Sequence, residues 1–130
     1  MTEPLYNNCF ACGVDNPIGL KLKFDYTEGE AVTYFTVTNS FQGYPGIVHG
    51  GIIATLLDEA MAKIIIKKDL VAVTAELNVK YRKTIPLNEE LKISGCIIKE
   101  KSRVVQTTGK IELNGVVLAE ASALYIKIRS

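Results

Sequence analysis

Apolar and polar positions change rhythm twice along this chain, and the changes mark out its elements. Leu20-Lys21-Leu22-Lys23-Phe24-Asp25-Tyr26 alternates strictly, and Ala31 to Val37 is rich in β-branched and aromatic residues, with a Glu28-Gly29 turn between them. The pattern predicts an opening hairpin. A loop from Asn39 to Val48, with Gly43, Pro45 and Gly46, leads into one long helical run from Gly50 to Lys68. The period then returns to two: Val71, Val73, Ala75, Leu77, Val79 and Tyr81 alternate with more polar neighbours up to Pro86. Leu91 to Lys99, Val104 to Leu113 and Val116 to Ile128 read as further strands, with Asn114-Gly115 as a two-residue hairpin turn. The expected architecture is α+β, a curled antiparallel sheet of five to six strands wrapped around one long central helix.

The helical wheel separates two adjacent acids. Ile53, Leu56, Leu57, Ala60 and Ile64 make the main apolar face, and Thr55, Glu59 and Lys63 share a mostly polar stripe. Glu59 and Lys63 read as an ordinary i,i+4 pair. Asp58 instead falls among Ala54, Met61 and Ile65, where an unpaired buried carboxylate costs several kcal/mol. That cost suggests a function, against the plain alternatives of a structural aspartate bonded to backbone or one exposed at the surface. A helix apolar over most of its circumference also needs more cover than one sheet provides, so an oligomer is expected.

The helix start adds chemistry. In His49-Gly50-Gly51 the first backbone N–H groups lack intrahelical partners and carry the positive end of the helix dipole, which suits a developing oxyanion. Glycine lets a ligand approach that backbone closely. His49 is the only histidine; it either positions the loop or substrate, or simply caps the helix.

Composition narrows the classes. At 130 residues the chain suits a single domain, and 48% apolar with 22% charged residues is ordinary for a soluble globular protein. A net charge of +1 gives no general case for nucleic acid or a membrane as partner. The longest apolar region, Ile47 to Ile66, carries His49, Asp58, Glu59 and Lys63 and reads as a buried helix, not a membrane span. Cys9, Cys12 and Cys96, with no secretory pattern at the start, point to free thiols and a cytoplasmic location. A single Cys9-x-x-Cys12 pair lacks the second ligand pair of a zinc motif, so no metal is expected.

The order of elements, with His49-Gly50-Gly51 opening the helix and Asp58 nine residues after the histidine, resembles the hotdog-fold acyl-CoA thioesterases, nearest the PaaI-type branch. The loop Phe41-Gln42-Gly43-Tyr44-Pro45-Gly46-Ile47-Val48, the strand Thr74-Ala75-Glu76-Leu77-Asn78-Val79-Lys80-Tyr81 and the opening Cys9-Phe10-Ala11-Cys12-Gly13-Val14-Asp15-Asn16-Pro17-Ile18-Gly19-Leu20 extend the resemblance over nearly the whole chain. It implies a hotdog fold, hydrolysis of an acyl-CoA ester with no cofactor beyond the CoA of the substrate, and dimers with sites at the interface.

Residue by residue, the resemblance implies that the Gly50 N–H polarises the thioester carbonyl, that Asp58 activates water or attacks the carbonyl, and that Thr74 orients the water. Some relatives use an asparagine six residues before the histidine; this chain has Gly43 there, and Gln42 is the nearest replacement. Gly51 is expected to be a further substrate contact. Gly50 and Asp58 lie roughly 12 Å apart along one helix, too far to act on one carbonyl, so antiparallel helices of a twofold dimer, or a dimer of dimers, would complete each site. For the CoA phosphates, Lys80, Arg82 and Lys83 form one candidate cluster, and Lys99, Lys101 and Arg103 another; solvated strand-end charges are the plain alternative. Two other functions remain: a hotdog hydratase or dehydratase, which usually pairs a carboxylate with a catalytic histidine, and a non-enzymatic acyl-CoA sensor or carrier, which needs the pocket but not Asp58.

Overall fold

The computed structural model describes residues 6–129. Strands β1 (Asp25–Thr27) and β2 (Glu30–Thr36) precede helix α1 (Gly50–Lys67), and β3 (Val71–Tyr81), β4 (Glu90–Glu100), β5 (Val104–Leu113) and β6 (Val116–Arg129) follow it. All six strands form one sheet in the order β1-β2-β4-β5-β6-β3, every pair antiparallel, packed around α1. This is the hotdog architecture. Both two-residue turns follow their sequence signals: Glu28 and Gly29 have φ of 48° and 81°, Asn114 and Gly115 of 52° and 83°.

The core lies between α1 and the inner sheet face. Ile53, Leu56, Leu57, Ala60 and Ile64 are buried as the wheel predicts, and Met61 and Ile65 join them. Side chains of this kind each contribute about 1.5–3 kcal/mol when fully buried. Small residues opposite let the helix come close: Ala119, Ala121 and Ala123 face inward on β6, and a Cβ at Gly95 of β4 would sit 2.6 Å from the Ala60 carbonyl.

Two expectations need correction. The alternation from Leu20 to Tyr26 becomes strand only at Asp25–Thr27. Lys21 has φ of 58°, which breaks the extended run, so Leu20 and Leu22 are both buried while their N–H groups donate to Phe10 O and Ala11 O. The opening segment thus forms its own pad against α1. That pad also covers the stripe expected to be polar: Lys63 is 9% exposed, and its bond to Glu59, at 3.7 Å, lies largely out of water. Part of the helix surface expected to need a second chain is therefore covered by the chain itself. The uncovered surface is on β3, an edge strand bonded only to β6, with Val73, Leu77 and Tyr81 exposed. No helix among the described residues is long and apolar enough to cross a membrane.

Candidate active site

The start of α1 is organised by His49. Its carbonyl accepts the first helical bonds, from Ile52 N–H (3.0 Å) and Ile53 N–H (3.1 Å), and its Nδ1 accepts from Gly51 N–H at 2.9 Å. The imidazole performs the capping task usual for a serine or aspartate, which requires its proton on Nε2. This bond is the one the capping reading of His49 calls for, and the ring also lines the groove beside the helix start. The Gly51 N–H is therefore engaged, whereas the Gly50 N–H makes no backbone hydrogen bond among the described residues. Gly50 is exposed, and its carbonyl accepts from Tyr81 Oη at 3.0 Å. Beside it lies an open groove of about 370 Å³ lined by Phe41, Gln42, His49, Gly51, Ile52 and Thr55. Gln42 Oε1 accepts from Gly46 N–H at 3.1 Å, which ties that side chain into its own loop.

Two turns on, Asp58 Oδ1 accepts from Thr74 Oγ1 at 3.0 Å and from Tyr125 Oη at 2.6 Å. Tyr125 Oη is also 2.9 Å from the Asp58 carbonyl; with one proton to give, the nearer carboxylate oxygen receives it. Tyr125 is 1% exposed, and burial, then its bond to Asp58, push the phenol far up, so it remains a donor. The other oxygen, Oδ2, has no hydrogen bond among the described residues and is not among the buried unsatisfied atoms. The carboxylate is thus held at one oxygen and open at the other.

The aim of Thr74 depends on a β-bulge. Thr74 pairs with Tyr125 and Glu76 with Leu124, which leaves Ala75 as an extra residue. Strict alternation would put Thr74 on the face opposite Val79 and Tyr81. The bulge reverses the parity, so Thr74, Val79 and Tyr81 all turn toward α1. Sequence reading missed Tyr125 and Tyr81 as site residues. The available signal was a tyrosine at an inward position of an otherwise alanine-lined strand, because a buried phenol requires a partner.

The two cation clusters do not meet within one chain. Tyr81 pairs with Ala119 at one end of the sheet, while Val104 pairs with Ile126 toward the other. Arg82 and Lys83 therefore leave the sheet at the Gly50 end, and the turn bearing Lys101 and Arg103 lies at the Asp58 end. Arg82 is half-exposed and bonds Glu120 through Nε at 2.7 Å.

A sheet wrapped around one helix, a free N–H at that helix's start and a carboxylate held two turns further along define a thioesterase-like class. Residues 45–123 match the family model described as Thioesterase superfamily, and the chain belongs to that superfamily. It is similar to the acyl-coenzyme A thioesterase THEM4 of Mus musculus, 34% identical over 107 residues that make up 81% of this chain and 46% of that protein. The Rattus norvegicus THEM4 is 30% identical over 127 residues, 92% of this chain and 53% of the relative. The chain spans about half the length of these curated relatives. A hypothetical thioesterase protein from Streptococcus pneumoniae TIGR4, solved with coenzyme A, superposes with TM-score 0.78 at 25% identity over 84% of this chain and 91% of that one. The phenylacetic acid degradation protein PaaI from Thermus thermophilus, 19% identical, shares the fold with TM-score 0.75 over 84% of this chain and 95% of its own.

Proposed function

We propose that the protein hydrolyses an acyl-CoA thioester to the free acid and CoA, at sites shared between two copies of the chain. The observation that carries this reading is the Asp58 carboxylate, pinned at Oδ1 by Thr74 and Tyr125 and open at Oδ2. In that state Oδ2 accepts a proton from a water that attacks the carbonyl carbon, or attacks the carbon itself to form a mixed anhydride that water then cleaves. In both routes the Gly50 N–H receives the oxyanion. The leaving group is a thiolate, a much weaker base than an alkoxide or an amide ion, so its departure needs little help from an acid. No separate cofactor takes part. The relatives named as acyl-CoA thioesterases and the Streptococcus protein solved with CoA support the substrate class. Release of free CoA from acyl-CoA by the purified protein tests the reading; tight binding without release would favour the carrier.

The second copy belongs on β3. An eleven-residue edge strand with exposed apolar side chains invites pairing. Thr74 holds Asp58 and Tyr81 holds Gly50, so both halves of the chemistry are tied to this strand, toward its opposite ends. A twofold antiparallel pairing centred near Leu77 and Asn78 would set the Thr74 end of one copy beside the Tyr81 end of the other, joining Asp58 to the Gly50 of the second copy. Leu77→Arg would place like charges across that axis. Sedimentation should show monomers, and CoA release should fall by at least about 10²-fold, as for loss of an oxyanion donor. An active monomer would refute the shared site.

The same pairing brings Arg82 and Lys83 of one copy to the sheet end carrying Lys101 and Arg103 of the other, a combined cationic patch for the CoA phosphates. Arg82→Ala should raise KM for acyl-CoA about two- to fivefold, the range for an exposed ion pair, with a smaller change in kcat. An unchanged KM removes Arg82 from the phosphate site. With its cysteines reduced, such an enzyme suits the cytoplasm.

A further inference from the structure

The opening segment presses a second set of reactive side chains onto the other flank of α1. Cys9 and Cys12 lie on a turn closed by Gly13 N–H donating to Cys9 O at 2.8 Å. A Cβ on Gly13 would overlap Asn7 O and Cys9 N, so the turn admits only glycine after the second cysteine. The turn is fixed from below as well, because the Leu20 and Leu22 N–H groups donate to Phe10 O and Ala11 O, both at 2.9 Å, and Ala11 is buried in the core. So held, Cys9 Sγ, Cys12 Sγ and a Glu59 carboxylate oxygen all lie within 4.8 Å of one another. Lys63 stands one turn further along, its Nζ 3.7 Å from Glu59 Oε2 and 5.6 Å from the centre of the Tyr6 ring.

We propose that Cys9, Cys12 and Glu59 form a binding site for a thiophilic divalent cation of the zinc class, separate from the catalytic site. Two thiolates and a carboxylate are a ligand set that suits this borderline-soft ion, with water in the fourth position. Tetrahedral bonds of about 2.3 Å to sulfur and 2.0–2.2 Å to oxygen put neighbouring ligand atoms roughly 3.3–3.8 Å apart. The observed cluster, with no separation above 4.8 Å, is close to this spacing. Binding converts two thiols to thiolates and releases two protons to solvent. The three anionic ligands and the dication leave one negative charge, which the Lys63 ammonium beside Glu59 offsets. Glu59 adjoins Asp58 in sequence but points about 100° away around the helix, so an ion here fastens the opening segment to α1 without entering the reaction. The cysteine spacing alone offers half a motif; the third ligand comes from a distant helix and is visible only in the fold.

Cobalt(II) titration of the full chain, kept reduced with a phosphine and with all three thiols confirmed by assay, tests the site. Saturation at one ion per chain is expected, with a near-ultraviolet thiolate-to-cobalt band and tetrahedral visible bands that zinc abolishes. Cys9→Ser and Cys12→Ser should each lose about half of the charge-transfer intensity, while Cys96→Ser, on β4, leaves it intact. Glu59→Gln should retain the band but weaken binding at least about tenfold, a loss that even an outer-shell partner can cause. Zinc should raise the Tm of wild type and not that of Cys9→Ser. If a variant fails to fold, the wild-type spectrum and its displacement by zinc decide the matter alone. A reduced, folded wild type without a thiolate band, or a band that vanishes with Cys96→Ser, would overturn the proposal and leave the thiols as hydrogen-bonding anchors for the segment.

Discussion

Asp58→Asn is expected to lower kcat for CoA release by about 10²–10⁴-fold, the contribution of a well-placed base, while KM stays within about threefold. The substitution is nearly isosteric. An amide oxygen still accepts from Thr74 and Tyr125, so the hydroxyls that hold Oδ1 keep a partner and the buried Tyr125 phenol is not left unsatisfied. Only the basic, nucleophilic oxygen is lost. Steady-state kinetics, with sedimentation and thermal melting as controls, separates this from unfolding. A folded variant that retains near wild-type turnover would make Asp58 structural, the plain alternative that its position on the helical wheel leaves open.

Gly50→Pro is expected to reduce kcat by about 10²–10³-fold, the usual effect of removing one oxyanion donor, with little change in Tm. Gly50 is the first helical residue, where proline fits because the position needs no intrahelical N–H. His49, at φ −60° and ψ 136°, already has the extended backbone preferred before proline. The nearest atom to a Cβ here is Tyr81 Oη at 3.7 Å, an ordinary contact, and the carbonyl that Tyr81 bonds is retained. The variant therefore deletes the N–H and little else. Gly50→Ala keeps the N–H and should keep most of the activity, which distinguishes loss of the donor from crowding at the helix start. Comparable losses in both variants would contradict an oxyanion role for this N–H.

The sequence disclosed the elements better than their surroundings. Periodicity placed α1 and the four later strands within a few residues because each has a single rhythm and clear turns at its ends. It failed at Leu20–Tyr26, where alternation is produced by a coiled pad with Lys21 at positive φ and not by sheet pairing. It paired Glu59 with Lys63 as the structure does but gave no sign of their burial, since a wheel shows which side chains share a stripe and not that the residues from Tyr6 to Cys12 will cover it. Asp58 stood out as a carboxylate on an apolar surface. Its partners did not: Thr74 reaches it through a bulge that no residue type announces, and Tyr125 comes from the last strand, across the sheet. The Gly50 N–H was legible as a helix start, but the engagement of Gly51 by the His49 ring depends on a side-chain rotamer.

Mixing the two inactive variants tests the central claim most directly. Asp58→Asn and Gly50→Pro chains, each inactive alone, would be unfolded together and refolded, and CoA release measured against wild type at equal chain concentration. If each site takes Asp58 from one copy and Gly50 from the other, every mixed dimer regains one intact site and random assembly restores about a quarter of wild-type activity. If both residues serve a site within one chain, every site in every dimer keeps a defect. Mixed dimers, demonstrated by differential tagging, that show no recovered turnover would contradict the shared site.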